Sequence, residues 1–321
     1  MSQGQPPRRP AYSRESVVLR LPGTVTLDDL STEWAWGDAT GKGVRVAVVD
    51  SGVEADHPAL GHCVDADGGL AITVGLEDEL IETPGRHDDA FGHGTACAGI
   101  IHSLAPEARI TSVKVLGEGL VGKAAAFLRG LGWAVEHRFD VINLSLGTNR
   151  REWSLPFYEV CDQAYFAGSL VVTAANNLPR PSFPSLYGTV ISVACNLATD
   201  PWRFHYNPAP PTEFLARGID VRVPWREGGF ITTTGNSFAA PHIAGLAALI
   251  RSKHPELRPF QVKTVLWATA ANVREAPRPP SRFTRTASRV TASPRATSAL
   301  SGLRAVRPLP RGPTSAEAGS G

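Results

Sequence analysis

Five short apolar runs constrain the fold of this chain more than any other feature: VRVAVV (44–49), ITSVKVL (110–116), VINLSL (141–146), LVVTAA (170–175) and VISVAC (190–195). Each is rich in β-branched residues and continuous rather than alternating, the pattern of strands covered on both faces. Between them, AAAFLRGLGWAVEH (124–137) and LPFYEVCDQAYFAG (155–168) read as helices, the second closing on Gly168 as a C-cap. Strand and helix in alternation predict an α/β fold, three layers deep, with a mostly parallel central sheet and helices on both faces. Reactive groups in that architecture gather beyond the C-terminal ends of the strands. A dinucleotide-binding domain shares this outline, but no G-x-G-x-x-G joins the first strand to a helix.

A chain of 321 residues, 42% hydrophobic and 19% charged, can bury one large core. RPFQVKTVLWATAANV (258–273) reads as the last helix of that core. Residues 274–321 carry nine arginines against two glutamates with few large apolar side chains, which predicts a disordered basic tail. Residues 1–35 read as an N-terminal arm or short extension without the apolar stretch of a secretory signal, so a cytoplasmic chain is expected. A net charge of +2 gives no reason to expect a nucleic-acid partner, and no run suits a membrane partner; a monomer is expected. Cys63, Cys97, Cys161 and Cys195 form no C-x-x-C pair and predict free thiols.

Three segments carry chemistry. VRVAVVDSGV runs a buried strand out into Asp50, where backbone donors can fix a carboxylate facing a cleft. DDAFGHGTACAGII places His93 between two glycines just before a helix, and histidine is the side chain suited to shuttle protons near neutrality. GNSFAAPHIAG sets Ser237 at the start of an apolar helix, with Pro241 expected in or near its first turn, so that the helix dipole favours negative charge at the serine. Taken singly, Asp50 also reads as the cap of a turn, His93 as a turn residue and Ser237 as an ordinary N-cap.

Together, AVVDSGV, GHGTACAG and GNSFAAPHIAG, with VKVLGEG and INLSLG between them, resemble the subtilisin-like serine protease family over roughly residues 36–272. The resemblance implies a peptidase domain over 36–273 that hydrolyses peptide bonds of peptide or protein substrates through an acyl-enzyme. In it Ser237 would be the nucleophile, His93 the base and then the acid, and Asp50 the group that orients the imidazole. Asn177, at the end of VVTAANN, would supply the oxyanion hole together with the Ser237 N–H. Substrate would pair as an added strand with Leu120, Val121 and Gly122 and with Ser145, Leu146 and Gly147. Leu146, Gly147, Ala174, Ala175 and Asn176 would wall the pocket before the scissile bond.

The chain departs from the family pattern in several places. Asn176 stands where glycine is usual, predicting a narrower or more polar pocket, and Asn236 replaces the usual threonine. The loop from Asn177 to Pro184 is short, and VVLRLPG (17–23) is a candidate strap across the cleft. Cys97, four residues after His93, is expected to be a packed thiol beneath it, at which a mercurial would disturb the histidine. No cofactor is needed for the chemistry. The metal assignment is none: the His, Asp and Cys around residues 56–93 fit no zinc or EF-hand spacing, and a structural calcium has no assignable ligands. Two functions are thus in view, a dedicated precursor-processing endopeptidase and a catalytically silent peptide-binding scaffold.

Overall fold

The computed structural model describes residues 29–178 and 180–274. Eleven strands and seven helices follow one another among them: α1 (Thr32–Ala35), β1 (Arg45–Asp50), β2 (Val64–Val74), β3 (Leu80–Pro84), α2 (His93–Leu104), β4 (Arg109–Lys114), α3 (Ala124–Glu136), β5 (Val141–Leu144), α4 (Ser154–Ala167), β6 (Leu170–Ala174), β7 (Ile191–Asn196), β8 (His205–Tyr206), β9 (Phe214–Arg217), β10 (Val221–Trp225), β11 (Gly229–Thr233), α5 (Asn236–Lys253), α6 (Pro259–Thr269) and α7 (Ala271–Arg274). Nine strands form one sheet in the order β3-β2-β4-β1-β5-β6-β7-β9-β8, parallel except for the two edges. The five apolar runs occupy its middle, where β1, β5 and β6 are buried almost throughout.

Each face of the sheet carries its own core, so the chain has the α/β, three-layer architecture its sequence predicts. On one side, Val46, Val48, Val172 and Val193 pack against Cys97, Ile101 and Leu104 of α2 and against the apolar length of α5. On the other, Ala47, Val49, Ile142 and Val171 pack against Phe127 and Leu131 of α3 and Phe157 and Cys161 of α4. The sheet thus fixes α2 and α5 on one side of it, with their N-termini toward the C-terminal ends of the central strands.

Several elements differ from the sequence reading. The helix expected over 258–273 breaks at Ala270, which is extended, because the next amide donates to the Phe204 carbonyl at 2.9 Å instead of continuing the helix. Pro241 sits at the sixth residue of α5 rather than in its first turn. Residues 29–35, grouped by sequence with the arm, pack into the core through Leu30 and Ala35, and the Leu30 carbonyl accepts from Arg274 at 2.9 Å. The rest of the arm, including 17–23, and the tail from 275 onward lie outside the described residues. No helix among the described residues is long and apolar enough to cross a membrane.

Candidate active site

Asp50 ends β1 and is fully buried. The Ser51 amide donates to its Oδ1 at 2.7 Å, and Nδ1 of His93 lies 2.8 Å from Oδ1 and 2.9 Å from Oδ2. His93 is brought there by the close approach of the first turn of α2 to the loop after β1. A Cβ on Gly94 would lie 2.0 Å from the Gly52 carbonyl oxygen, so only glycine admits that contact. Gly92 caps the helix at φ 109°, and a Cβ there would strike the Trp225 ring.

One residue that the sequence reading did not single out organises this turn. Asp89 is buried and accepts five hydrogen bonds: from the Ser51 hydroxyl (2.7 Å), the amides of Phe91 (3.0 Å), Gly92 (2.7 Å) and Thr95 (2.9 Å), and the Thr95 hydroxyl (2.6 Å). Its carboxylate caps the N-terminus of α2 and, through Ser51, ties that helix to the segment bearing Asp50. Two adjacent aspartates ahead of the Gly-His-Gly helix start narrow the choice to Asp88 or Asp89 without deciding between them.

Ser237 is the second residue of α5. Pro241 lacks the amide that would bond to the Ser237 carbonyl, so that acceptor is left over within the helix. The Ser145 hydroxyl donates to it at 2.8 Å and in turn accepts from Nδ2 of Asn143 at 3.0 Å. The proline therefore frees the carbonyl of its own nucleophile-candidate turn to be held from β5's end, across the cleft floor. Cys97 lies beneath the group, its Sγ 3.9 Å from Asp50 Oδ2, 4.0 Å from His93 Nδ1 and 3.6 Å from the Ser237 carbonyl oxygen. Burial pushes its thiol above the ordinary range, with the neighbouring histidine opposing, so at neutral pH it is an S–H group.

His93, Ser237 and Asn177 open onto one groove of about 670 Å³ that also takes in Leu120, Gly122, Ser145, Leu146 and Gly147. Lys123 and Asp78, paired at the tip of the β2–β3 hairpin, also line it, both with largely exposed side chains. A smaller hollow of about 160 Å³ opens beside Ser237 and gathers Ser145, Leu146, Gly147, Ala174, Ala175, Asn176 and Asn177, with Ser182 added. Ser182 reaches it because Thr148 and Phe183 bond to each other in both directions, at 2.8 and 3.0 Å, laying the short loop against Gly147.

Val121 is 73% exposed, and its carbonyl accepts from the Gly117 amide at 2.9 Å. Asn176 turns its Oδ1 back to the Leu178 amide at 2.9 Å, which takes the oxygen into its own turn. Among the described residues, the one group of three metal-binding side-chain types is Asp50, His93 and Cys97. Two of its members are already bonded to each other.

The model of the subtilase family matches residues 41–296. Subtilisin DY of Bacillus licheniformis is 32% identical over 248 residues, covering 73% of this chain and 85% of that protein. Subtilisin E of Bacillus subtilis (strain 168) is 32% identical over 246 residues, covering 72% of this chain and 61% of that one. A solved structure described as a cold adapted subtilisin-like serine proteinase superposes with a TM-score of 0.58 at 23% identity, over 74% of this chain and 87% of that one, and supports the fold. The chain belongs to the subtilase family and is a subtilisin-like serine endopeptidase.

Proposed function

We propose that Ser237, His93 and Asp50 act as one catalytic unit, and that Asn177 with the Ser237 amide forms the oxyanion hole. The observation that carries this reading is that His93, bonded to the buried Asp50, lines the same groove as Ser237 and Asn177. With Nδ1–H held by Asp50, the other ring nitrogen of His93 is left as a base. It takes the Ser237 proton as Oγ attacks the peptide carbonyl carbon, and the π electrons move to oxygen. That oxyanion forms where Nδ2 of Asn177, the backbone amide of Ser237 and the N-terminal dipole of α5 favour negative charge. Collapse breaks the C–N bond, and His93 returns its proton to the departing amine. Water, deprotonated by the same histidine, then attacks the acyl-enzyme and releases Ser237. No cofactor takes part in these steps.

Replacing Asn177 by alanine is expected to lower kcat about 10²- to 10³-fold with little change in KM, because the donor acts only once charge develops. Steady-state kinetics of the two proteins check this, and an unchanged kcat would remove Asn177 from the mechanism.

The finer reading is that this enzyme cuts chosen bonds, as in processing a precursor, rather than degrading proteins at large. One feature supports it: the hollow beside Ser237 is lined by uncharged residues. A charged side chain entering that hollow would be desolvated without a partner. Cleavage sites mapped by mass spectrometry in a peptide library are expected to show small or medium uncharged residues before the cut, and Asp, Glu, Lys or Arg at least tenfold under-represented. Cutting after any residue alike would overturn the selective reading.

A further inference from the structure

We infer that Asn236 is a positioning residue that aims the oxyanion donor, a role resting on the reading of Asn177 given above. Asn236 opens α5 immediately before Ser237 and is 8% exposed. Its carboxamide lies between two strand ends and the helix. The Cys195 amide at the end of β7 donates to its Oδ1 at 2.8 Å. Its Nδ2 donates to the carbonyls of Ala175 at 3.2 Å and Asn176 at 3.1 Å, just past β6. Its own backbone amide donates to Oδ1 of Asn177 at 2.9 Å.

The direction of each group follows from its partners. Because backbone N–H groups can only donate, Oδ1 is the atom of Asn236 facing Cys195, and Oδ1 is the atom of Asn177 facing the helix. Nδ2 of Asn177 then lies on the opposite side of Cγ from that bond, left to serve the groove that residue lines. The backbone of the Asn177 arm is held in register with the helix start by the two carbonyl contacts made from the same Asn236 side chain. One residue thus fixes the arm, by its side chain, and the rotation of the donor at the arm's tip, by its amide.

The chemistry of the position calls for a carboxamide of this length. It must accept from one backbone N–H and donate to two carbonyl oxygens diverging on the opposite side. Threonine has one hydroxyl proton, enough for one of the two carbonyls. Aspartate matches the shape and keeps the Cys195 contact, but it sets a carboxylate oxygen against both carbonyls. Asparagine at this site is therefore a feature of this chain's own wiring of the oxyanion arm rather than a neutral replacement.

The test is a double-mutant cycle between positions 236 and 177. It reads the second-order rate at which diisopropyl fluorophosphate modifies Ser237, by intact mass. That reaction builds charge on a phosphoryl oxygen where the peptide oxyanion would sit. Thermal melting of each variant confirms that it is folded, and the isosteric Asn236→Asp stands beside Asn236→Ala so that a fold-breaking cavity does not decide the matter.

Either substitution at 236 is expected to slow modification about tenfold or more, while Asn177→Ala slows it about 10²- to 10³-fold. In the Asn177→Ala background the Asn236 substitutions are expected to add less than about twofold, because the donor they aim is gone. Multiplying effects would show a general structural role and overturn the positioning inference, as would a wild-type rate in folded Asn236 variants. A wild-type rate for Asn177→Ala would overturn the oxyanion reading itself, and the inference with it.

Discussion

Substituting asparagine for Asp50 is expected to lower kcat by about 10⁴-fold while leaving KM within a few fold. The side chain keeps its shape and place, and the Ser51 amide at 2.7 Å still finds an oxygen. What changes is the proton on the imidazole. Asp50 accepts from Nδ1 of His93 at 2.8 Å, which leaves the opposite nitrogen as a base. An amide nitrogen turned toward Nδ1 favours the other tautomer, in which the nitrogen facing the groove already carries a proton.

The same pair sets the pH dependence. Burial pulls the pKa of His93 down, but the Asp50 charge, the neighbouring Cys97 and the hydrogen bonds to both more than offset this and hold it well above the usual 6.5. The wild-type profile of kcat/KM is therefore expected to fall on the acid side of an apparent pKa above 6.5, and in Asp50→Asn that limb moves to lower pH. Stability runs the other way at this pair. Because the folded pKa lies above the unfolded one, the pair's contribution is fully present below about pH 6.5 and is lost as the pH rises through the folded value. Rate profiles and urea unfolding across the same pH range, on both proteins, check the two signs. An acid limb unmoved by Asp50→Asn would detach the carboxylate from the titration.

Replacing His93 by alanine is expected to be more severe, on the order of 10⁶-fold in kcat, the size found for the corresponding loss in subtilisin. A neutral serine hydroxyl attacks poorly, and the ring is the base that the geometry brings to the groove with Ser237. Groups acting as one unit do not lose activity additively. The double variant His93→Ala, Ser237→Ala is thus expected to be no slower than either single variant, with a residual rate over water from Asn177 and substrate binding. Kinetics at high enzyme concentration on a cleavable peptide measure all three, and a double variant slower by the product of the singles would mean the two residues act separately.

How far the sequence could be read follows from which interactions were local. The five central strands announced themselves because both of their faces are covered, so every residue of β6, for example, is apolar or small. The β2–β3 hairpin did not: β3 is exposed along its whole length, and β2 carries Asp65, Asp67 and paired glycines, with its register shifting between Asp65 and Leu70. The β10–β11 hairpin packs only a few residues against Ala96, Ile100 and Phe238, too few for a strong pattern. Asp50, His93 and Ser237 were legible because each sits in a short motif at the end of an element.

The parts of the site that depend on distant partners were not. Asp89 is one of two adjacent aspartates, and nothing local says which of them turns inward to hold the start of α2. Ser182 enters the small hollow only through the pairing of Thr148 with Phe183. The substitution at Asn236 could be seen, but its partners at Cys195, Ala175 and Asn176 come from strands 41 to 61 residues away.

Whether Ser237 is an activated nucleophile is read by intact-mass spectrometry after fluorophosphonate treatment. One adduct is expected on the folded protein at neutral pH, absent from Ser237→Ala. A folded wild-type protein that takes up no adduct, or a Ser237→Ala variant that still takes one up, would contradict it.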